Sequence, residues 1–380
     1  MDVFTLLENV EKCYKCKVMN AFNNSVRAFR GMLRSGTFAL DSTIIETKPD
    51  FPGCGKTKRK KEGCNGNLPS DYEYIYGFKL FVLYEVKSRI IVSMYIVPAN
   101  EDDHNYFLPM IKQGVQNCGK GSIQLVVADR GFLNGAHLWE LKHKLGIDFI
   151  IPAKVGMIIR EDAISLRERY ENKPLAEWAY GKGKCQGYGV NGLQSYFEYN
   201  PVGVKNNKKT NGSPLNALVV TTWRGKTVSP EKQVVLLSSL PVEENAASIA
   251  VTYRLRSLIE NCGFRELKQA AYLKNLPRRK GKYVEVAAYL HIMLCVFAHT
   301  LFYAFLGWSK KKTSEQAERD CLRTSEQFEV NCLRKWRRQE SIKEGNKILI
   351  VAEEKYYAIF EVDELLDVFG VKQKYRIKNE

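Results

Sequence analysis

Histidine is scarce in this sequence, with five residues in 380. A structural zinc centre needs four sulfur or nitrogen ligands at regular spacing. One Cys-x2-Cys pair, Cys13 and Cys16, is followed by Cys54 and Cys64 at irregular distances. The ten cysteines are scattered through apolar and helical patterns, so they read as reduced thiols rather than a disulfide or zinc framework. A secretory signal peptide is missing as well: "MDVFTLLENVEKCYKCK" carries acidic residues where a basic leader would stand. The expected compartment is the cytosol. "GCGKTK" lacks the Gly-x4-Gly-Lys-Ser/Thr spacing of a nucleotide-binding loop, so ATP use is not implied. No internal repeat is present. Acidic residues are also short in number: 42 against 58 Lys and Arg, a net charge of +16. A fold does not need that excess. It favours a polyanionic partner, nucleic acid or an anionic membrane surface.

One stretch bears on the membrane alternative. Val286 to Trp308 contains no Asp, Glu, Lys or Arg and is long enough to span a bilayer. Basic residues flank it on both sides, leaving its orientation undefined. A helix buried all round in a large core has the same composition, and that is the reading adopted: no membrane.

The chain divides by pattern. Residues 1–35 form an amphipathic helical segment. Residues 36–155 alternate: the strand "TFALDSTIIET", a Gly- and Lys-rich loop over 47–72, the hairpin "YEYIYGFKLFVLYEV" and "RIIVSMYIVPA", a helix, the strand "SIQLVVAD", a helix, and the strand "IDFIIPA". That order predicts an α/β mixed sheet flanked by helices. Residues 156–245 turn β-rich, with Gly- and Asn-punctuated strands, and interrupt the core. Residues 246–310 return to helix. Residues 311–380 are a charged tail with one hairpin-like pattern.

Three carboxylates occupy comparable places. Asp41 lies inside the first strand, Asp129 closes a buried strand, and Glu260 sits on the helix "YRLRSLIENCGF". Each has an ordinary alternative. Asp41 can bond Ser42 or Thr43, Asp129 can cap the next helix, and Glu260 can face solvent beside a basic residue. Converging carboxylates repel and raise one another's pKa. A divalent cation relieves that cost, and an all-oxygen donor set suits Mg²⁺ or Mn²⁺.

At these residues the chain resembles the DDE transposases grouped around the bacterial IS4 insertion sequences. The matches are "LDST" with Asp41, "ADRGF" with Asp129 and "YRLRSLIENCGFRELKQ" with Glu260. The last follows the family pattern Tyr-x2-Arg-x3-Glu-x6-Lys through Tyr253, Arg256 and Glu260. The lysine departs: the family step lands on Leu267, and Lys268 is one residue further, about 100° around a regular helix. A helix bulge would return it; Arg265 is the other candidate.

The resemblance implies a ribonuclease-H-like fold. The first Asp belongs on the first strand, the second at the end of the fourth and the Glu on a late helix, with 156–245 as the insertion. It implies DNA cleavage and strand transfer with two Mg²⁺ or Mn²⁺ held by Asp41, Asp129 and Glu260. It further implies phosphate contacts from Tyr253 and Arg256, a flipped base stacked on Trp178 or Trp223, and a homodimer on paired transposon ends. The runs "GKTKRKKEG" and "RGKTVSPEK" fit phosphate contacts without sequence readout. The segment before Asp41 is shorter than the end-recognition region the resemblance implies, so a trimmed or catalytically inactive DNA-binding remnant is the alternative.

Overall fold

The fold is seen in a computed structural model that describes residues 3–361 except 62, 65–67, 170–173, 181–182, 202–211, 225–231, 244, 278–282, 312–339, 345–346 and 353–355. Two compact units divide near residue 301.

In the first unit, β1 (Thr37–Thr47) is the centre of a mixed sheet. It pairs antiparallel with β3 (Tyr72–Glu85), which pairs antiparallel with β4 (Ile91–Pro98). On its other side β1 runs parallel to β5 (Leu125–Ala128), and β5 parallel to β6 (Asp148–Pro152). The order β4-β3-β1-β5-β6 is therefore the mixed core expected of a ribonuclease-H-like fold. The loop expected over 47–72 contains one more strand, β2 (Gly55–Lys60), on the edge of β3 beyond β4. Its alternating Lys and Thr residues are compatible with a solvated edge, where charge blocks further pairing.

The insertion continues the same sheet. β10 (Lys232–Ser238) joins β6 antiparallel, followed by β9 (Leu215–Arg224), β8 (Gly183–Leu193) and β7 (Ala176–Tyr180). The helix α4 (Ile158–Arg169) precedes these strands. It was not anticipated, because its charged sequence carries only a weak apolar stripe. The run "RGKTVSPEK" falls largely outside the described residues.

Helices cover both faces. α2 (Asp103–Cys118) buries Phe107, Met110, Ile111, Gly114 and Cys118, the i, i+3, i+4, i+7 spacing of one apolar stripe. Gly114 is required there: a Cβ would come within 2.6 Å of the Leu83 side chain. On the same side Phe81 stacks on Tyr106 at 4.8 Å and meets Phe132 edge-on. Burying a ring such as Phe81 contributes about 1.5–3 kcal/mol. α3 (Gly135–His143) is capped by Asn134, whose side chain accepts a bond from the His137 N–H at 3.0 Å. The opposite face is covered by α5 (Ala246–Arg254), the turns after it, and α7 (Val284–Lys311). α1 (Val3–Phe29) reaches α7 through Phe22 and Phe297, and α2 through a buried bond from Asn117 to Asn23 at 2.9 Å.

α7 contains the charge-free run, and it serves the core. Tyr289 meets Phe78, His299 pairs with Glu266 at 3.0 Å, and Thr300 donates to the Ile91 carbonyl at 3.3 Å. Ile292, Val296 and Ala288 are buried. The helix is long and apolar enough to cross a bilayer, yet nearly half of that stretch is packed inside the protein. Among the described cysteines, Cys16, Cys54 and Cys64 are free thiols, and no zinc cluster forms. In the second unit β11 (Glu340–Glu344), β12 (Lys347–Ala352) and β13 (Tyr356–Glu361) form an antiparallel sheet.

A buried carboxylate fixes where β1 begins. Glu85, fully enclosed at the end of β3, accepts from the Ser35 N–H at 3.1 Å and the Ser88 N–H at 2.5 Å, and from the Ser35 hydroxyl. It thus ties the entry of β1 to the β3–β4 turn, where Arg89 adopts a φ of 62°. Glu85→Ala leaves those donors unsatisfied and is expected to cost about 2–3 kcal/mol of stability. Urea unfolding measures this; a loss below about 0.5 kcal/mol, the scale of an ordinary surface change, would contradict the tie.

Candidate active site

The site begins with strand register. β1 and β5 are aligned so that Leu40 lies beside Ala128. The next residues on the two parallel chains are Asp41 and Asp129, which therefore stand side by side. β1 continues past this point while β5 ends, so Asp129 stands at the mouth of the sheet. It opens the short turn Arg130–Phe132, but its side chain makes no capping bond there. The helix-capping alternative is therefore not what holds it. Asp41 does accept from the Ser42 N–H at 2.8 Å.

The third acid arrives from the covering helices. After α5 the chain tightens: the Arg256 N–H bonds the Tyr253 carbonyl and the Ile259 N–H bonds the Arg256 carbonyl. It then loosens into a π turn over Ile259–Phe264, followed by α6 (Arg265–Gln269). The tight turn sets Tyr253 and Arg256 on one face, and Glu260 follows one turn on. A single Arg256 nitrogen, Nη1, lies 2.6 Å from Asp41 Oδ2 and 2.6 Å from Glu260 Oε1. Those two carboxylate oxygens are thus no further apart than twice that distance, although the residues are remote in sequence.

The π turn also settles the odd position of the lysine. On an uninterrupted α-helix Lys268 would stand about 80° around the axis from Glu260. A π turn absorbs one extra residue. Lys268 accordingly reaches β1, where its ammonium donates to the Thr43 hydroxyl. Thr43 is two residues from Asp41 and on the same face of the strand. Leu267, where the family spacing lands, is fully buried. Arg265 is solvent-exposed at the start of α6.

Electrostatics follow from this crowding. Burial is the largest influence on Asp41 and raises its pKa; Arg256 and the Ser42 N–H oppose it, while Glu260 and Asp129 add to it. The outcome is about 7, against an ordinary 3.8. Burial also works against the charge on Arg256, but Asp41, Glu260 and Tyr253 outweigh it and hold its pKa above the ordinary value. Tyr253 is pushed up to about 12, chiefly by burial, with Asp129 and Asp41 adding and Arg256 opposing. Lys268 is lowered by burial and by Lys274, against the pull of Glu46.

The structure thus gathers Asp41, Asp129, Tyr253, Arg256, Glu260 and Lys268. It does not gather the tryptophans. Trp178 is on β7, six positions from β1 in the strand order, on the order of 29 Å at the usual strand spacing. Its ring lies over Gly187, where an added Cβ would come within 3.1 Å of it, and its indole N–H is buried without an acceptor among the described residues. That is a packing position in the insertion, not a place beside the acids. Trp223 lies opposite Lys184 on β9, and its side chain is outside the described residues. Thr43 and Lys274 were not singled out beforehand as site residues. The alternation Asp41, Thr43 along β1 is the signal that could have found the first.

The donor set consists of carboxylate oxygens, the kind that suits a hard divalent cation. Among the described residues, no three acidic, thiol or imidazole side chains yet converge as a ligand set; the Arg256 guanidinium stands between two of the acids. The residues fit such an ion in kind, with Arg256 as the group that must withdraw.

A family described as a transposase DDE domain matches residues 34–297. The chain belongs to the DDE transposase family. The match starts just before β1 and ends within α7, so it takes in the three acids and the insertion. Among solved structures, a piggyBac transposase synaptic complex with hairpin DNA shares 11% identity at a TM-score of 0.43. The alignment covers 82% of this chain and 57% of that one. The chain therefore spans little more than half the length of that protein. No curated protein matches.

The raised pKa of Asp41 carries a sign. The folded protein retains a proton that the unfolded chain releases between about pH 4 and 7. Without divalent cations, stability should therefore fall as pH rises through this window, by up to about 1.4 kcal/mol per pH unit. Asp41→Asn should flatten the dependence. Urea unfolding in chelator across that range checks it, and an identical slope in both proteins would contradict the assignment.

Proposed function

We propose that this DDE transposase cleaves DNA at transposon ends and joins the freed 3′-hydroxyl to target DNA, with divalent metal ions held by Asp41, Asp129 and Glu260. The observation that carries the reading is the meeting of Asp41 and Glu260 at one guanidinium nitrogen, with Asp129 in register beside Asp41. Mg²⁺ or Mn²⁺, two per site, would supply activation of the attacking oxygen and stabilisation of the leaving one.

The protein's own residues do the positioning. In phosphoryl transfer little covalent work falls to side chains, and orientation and charge dominate. Arg256 holds the acids together when no cation does. Once withdrawn, it remains within a helical turn of Glu260, where a planar guanidinium can take a non-bridging phosphate oxygen. Tyr253 lies close enough to Arg256 for the guanidinium to lower the tyrosine's pKa against the effect of burial. Lys268, on the Thr43 side, is a point charge for the neighbouring phosphate. Asp41 must release its proton before it can bind a cation, so cation affinity should rise with pH up to about 7. The surplus of basic residues supports a DNA partner. Pairing of two ends by two copies of the chain belongs to the same proposal. No observation favours the inactive remnant, since all three acids are present.

Cleavage of an end-labelled DNA in Mg²⁺ tests the reading. Glu260→Gln should lower the rate by at least about 10²–10³-fold, the scale on which a transition-state contact is felt. Lys268→Ala should lower it about 10–100-fold, as expected for a charged hydrogen bond, and Arg265→Ala by no more than a few-fold. Cleavage by Glu260→Gln at the parent rate would refute the proposal. Equal losses from Lys268→Ala and Arg265→Ala would refute the lysine's role.

A further inference from the structure

The basic run that opens the β2–β3 hairpin is sorted by face. Lys56, Lys58 and Lys60 lie directly opposite Tyr76, Tyr74 and Tyr72. Opposed residues of an antiparallel pair share a face, so three lysines and three tyrosines form one ladder. Two of the lysine ammonium groups lie over the rings: Lys56 Nζ is 4.0 Å from the Tyr74 centroid and 5.8 Å from that of Tyr76, and Lys58 Nζ is 5.6 Å from Tyr74. Arg59 points to the other face, where Glu46 at 2.5 Å and Glu73 at 2.7 Å anchor the strand. Among the described residues, none of the three lysines has a carboxylate partner. All three are exposed, as are Tyr74 (56%) and Tyr72 (40%).

We infer that this ladder is a binding site for single-stranded DNA. The lysines supply phosphate contacts, and the exposed rings supply stacking platforms, which only unpaired bases can use. An ammonium resting on an exposed ring is a weak contact, and it yields to a phosphate and a base together. The inference rests on the reading of the chain as a DNA-processing enzyme, and it adds where the strand lies. Asp41 is opposite Val82 and Thr47 opposite Tyr76, with no register shift between them. The tyrosines therefore continue the face of the sheet that carries Asp41. At about 3.4 Å per residue, the ladder runs from roughly 20 to 34 Å from Asp41 along the strand. At about 3.4 Å per stacked nucleotide, that is roughly six to ten nucleotides from the reacting phosphate. A cleft of about 360 Å³, lined by Thr47, Lys48 and Lys274 and also by Glu46 and Asp50, opens at the near end of the ladder.

The test is fluorescence anisotropy with the full chain in a Glu260→Gln background, using a labelled single strand of about 20 nucleotides, to span the ladder, and the matching duplex. Lys56→Gln/Lys58→Gln/Lys60→Gln should reduce the salt dependence of single-strand binding by about two log units per log unit of salt. Tyr72→Ala/Tyr74→Ala should weaken single-strand binding about 10–100-fold and leave duplex binding within about twofold. Tyr74→Leu, which keeps the bulk and loses the ring, should follow in the same direction. Lys120→Gln, which removes a single lysine charge at the opposite end of the sheet, should change neither. Single-strand binding unaffected by the tyrosine changes, or equal losses for single strand and duplex, would overturn the inference. With parent residues at Glu260, normal cleavage beside unaltered binding by the ladder variants defeats the ladder alone. Absent cleavage by the unaltered chain beside the expected binding losses in the variants defeats the catalytic reading alone, and a parent that binds no DNA defeats both.

Discussion

Mutual repulsion of carboxylates, and the Arg256 guanidinium that answers it, organise this site. Parallel register sets Asp41 beside Asp129, and the helical segment after α5 brings Glu260 over them. Left alone, three acids at the mouth of a buried strand would push one another apart or take up protons. Arg256 bridges two of them through a single nitrogen, and Asp41 keeps its proton to about neutrality. A buried pair of this kind is weak evidence for stability, because desolvation offsets much of its attraction. Its interest lies in the exchange that the proposed function requires: a divalent cation would take over the role of the guanidinium and free it for a phosphate.

Irregular helix geometry is the second constraint. An ordinary helix would set Lys268 off the face of Glu260. The turns at 253–264 are first tighter and then looser than α, which keeps Tyr253, Arg256, Glu260 and Lys268 on the side of β1 that carries Asp41. The rest of the fold serves this placement. Glu85 fixes the start of β1, α7 closes the helical layer against the sheet, and the insertion lengthens the sheet beyond β6.

Much of this was legible in the residues. The strand "FALDST", the strand-to-Asp junction "VVAD" and the steps of three and four from Tyr253 to Glu260 carried the acids, the core topology and the family resemblance, because each is a local pattern with a fixed period. What escaped was non-local. β2 read as a loop, since its lysines and glycines give no apolar alternation; it is a strand only because β3 offers an edge. The tyrosines opposite its lysines are invisible until the register is known. The charge-free helix could be read two ways until Tyr289, Phe297 and His299 were seen to have partners. Trp178 looked like a base-stacking residue by type, and the strand order sets it far from the acids.

The central claim is that Arg256 stands where a cation belongs. The most direct measurement is anomalous diffraction from crystals of the chain with a DNA end and Mn²⁺. The account predicts manganese among the carboxylates of Asp41, Asp129 and Glu260, with Arg256 moved onto a phosphate. Manganese bound elsewhere, with Arg256 still bridging Asp41 and Glu260, would contradict it.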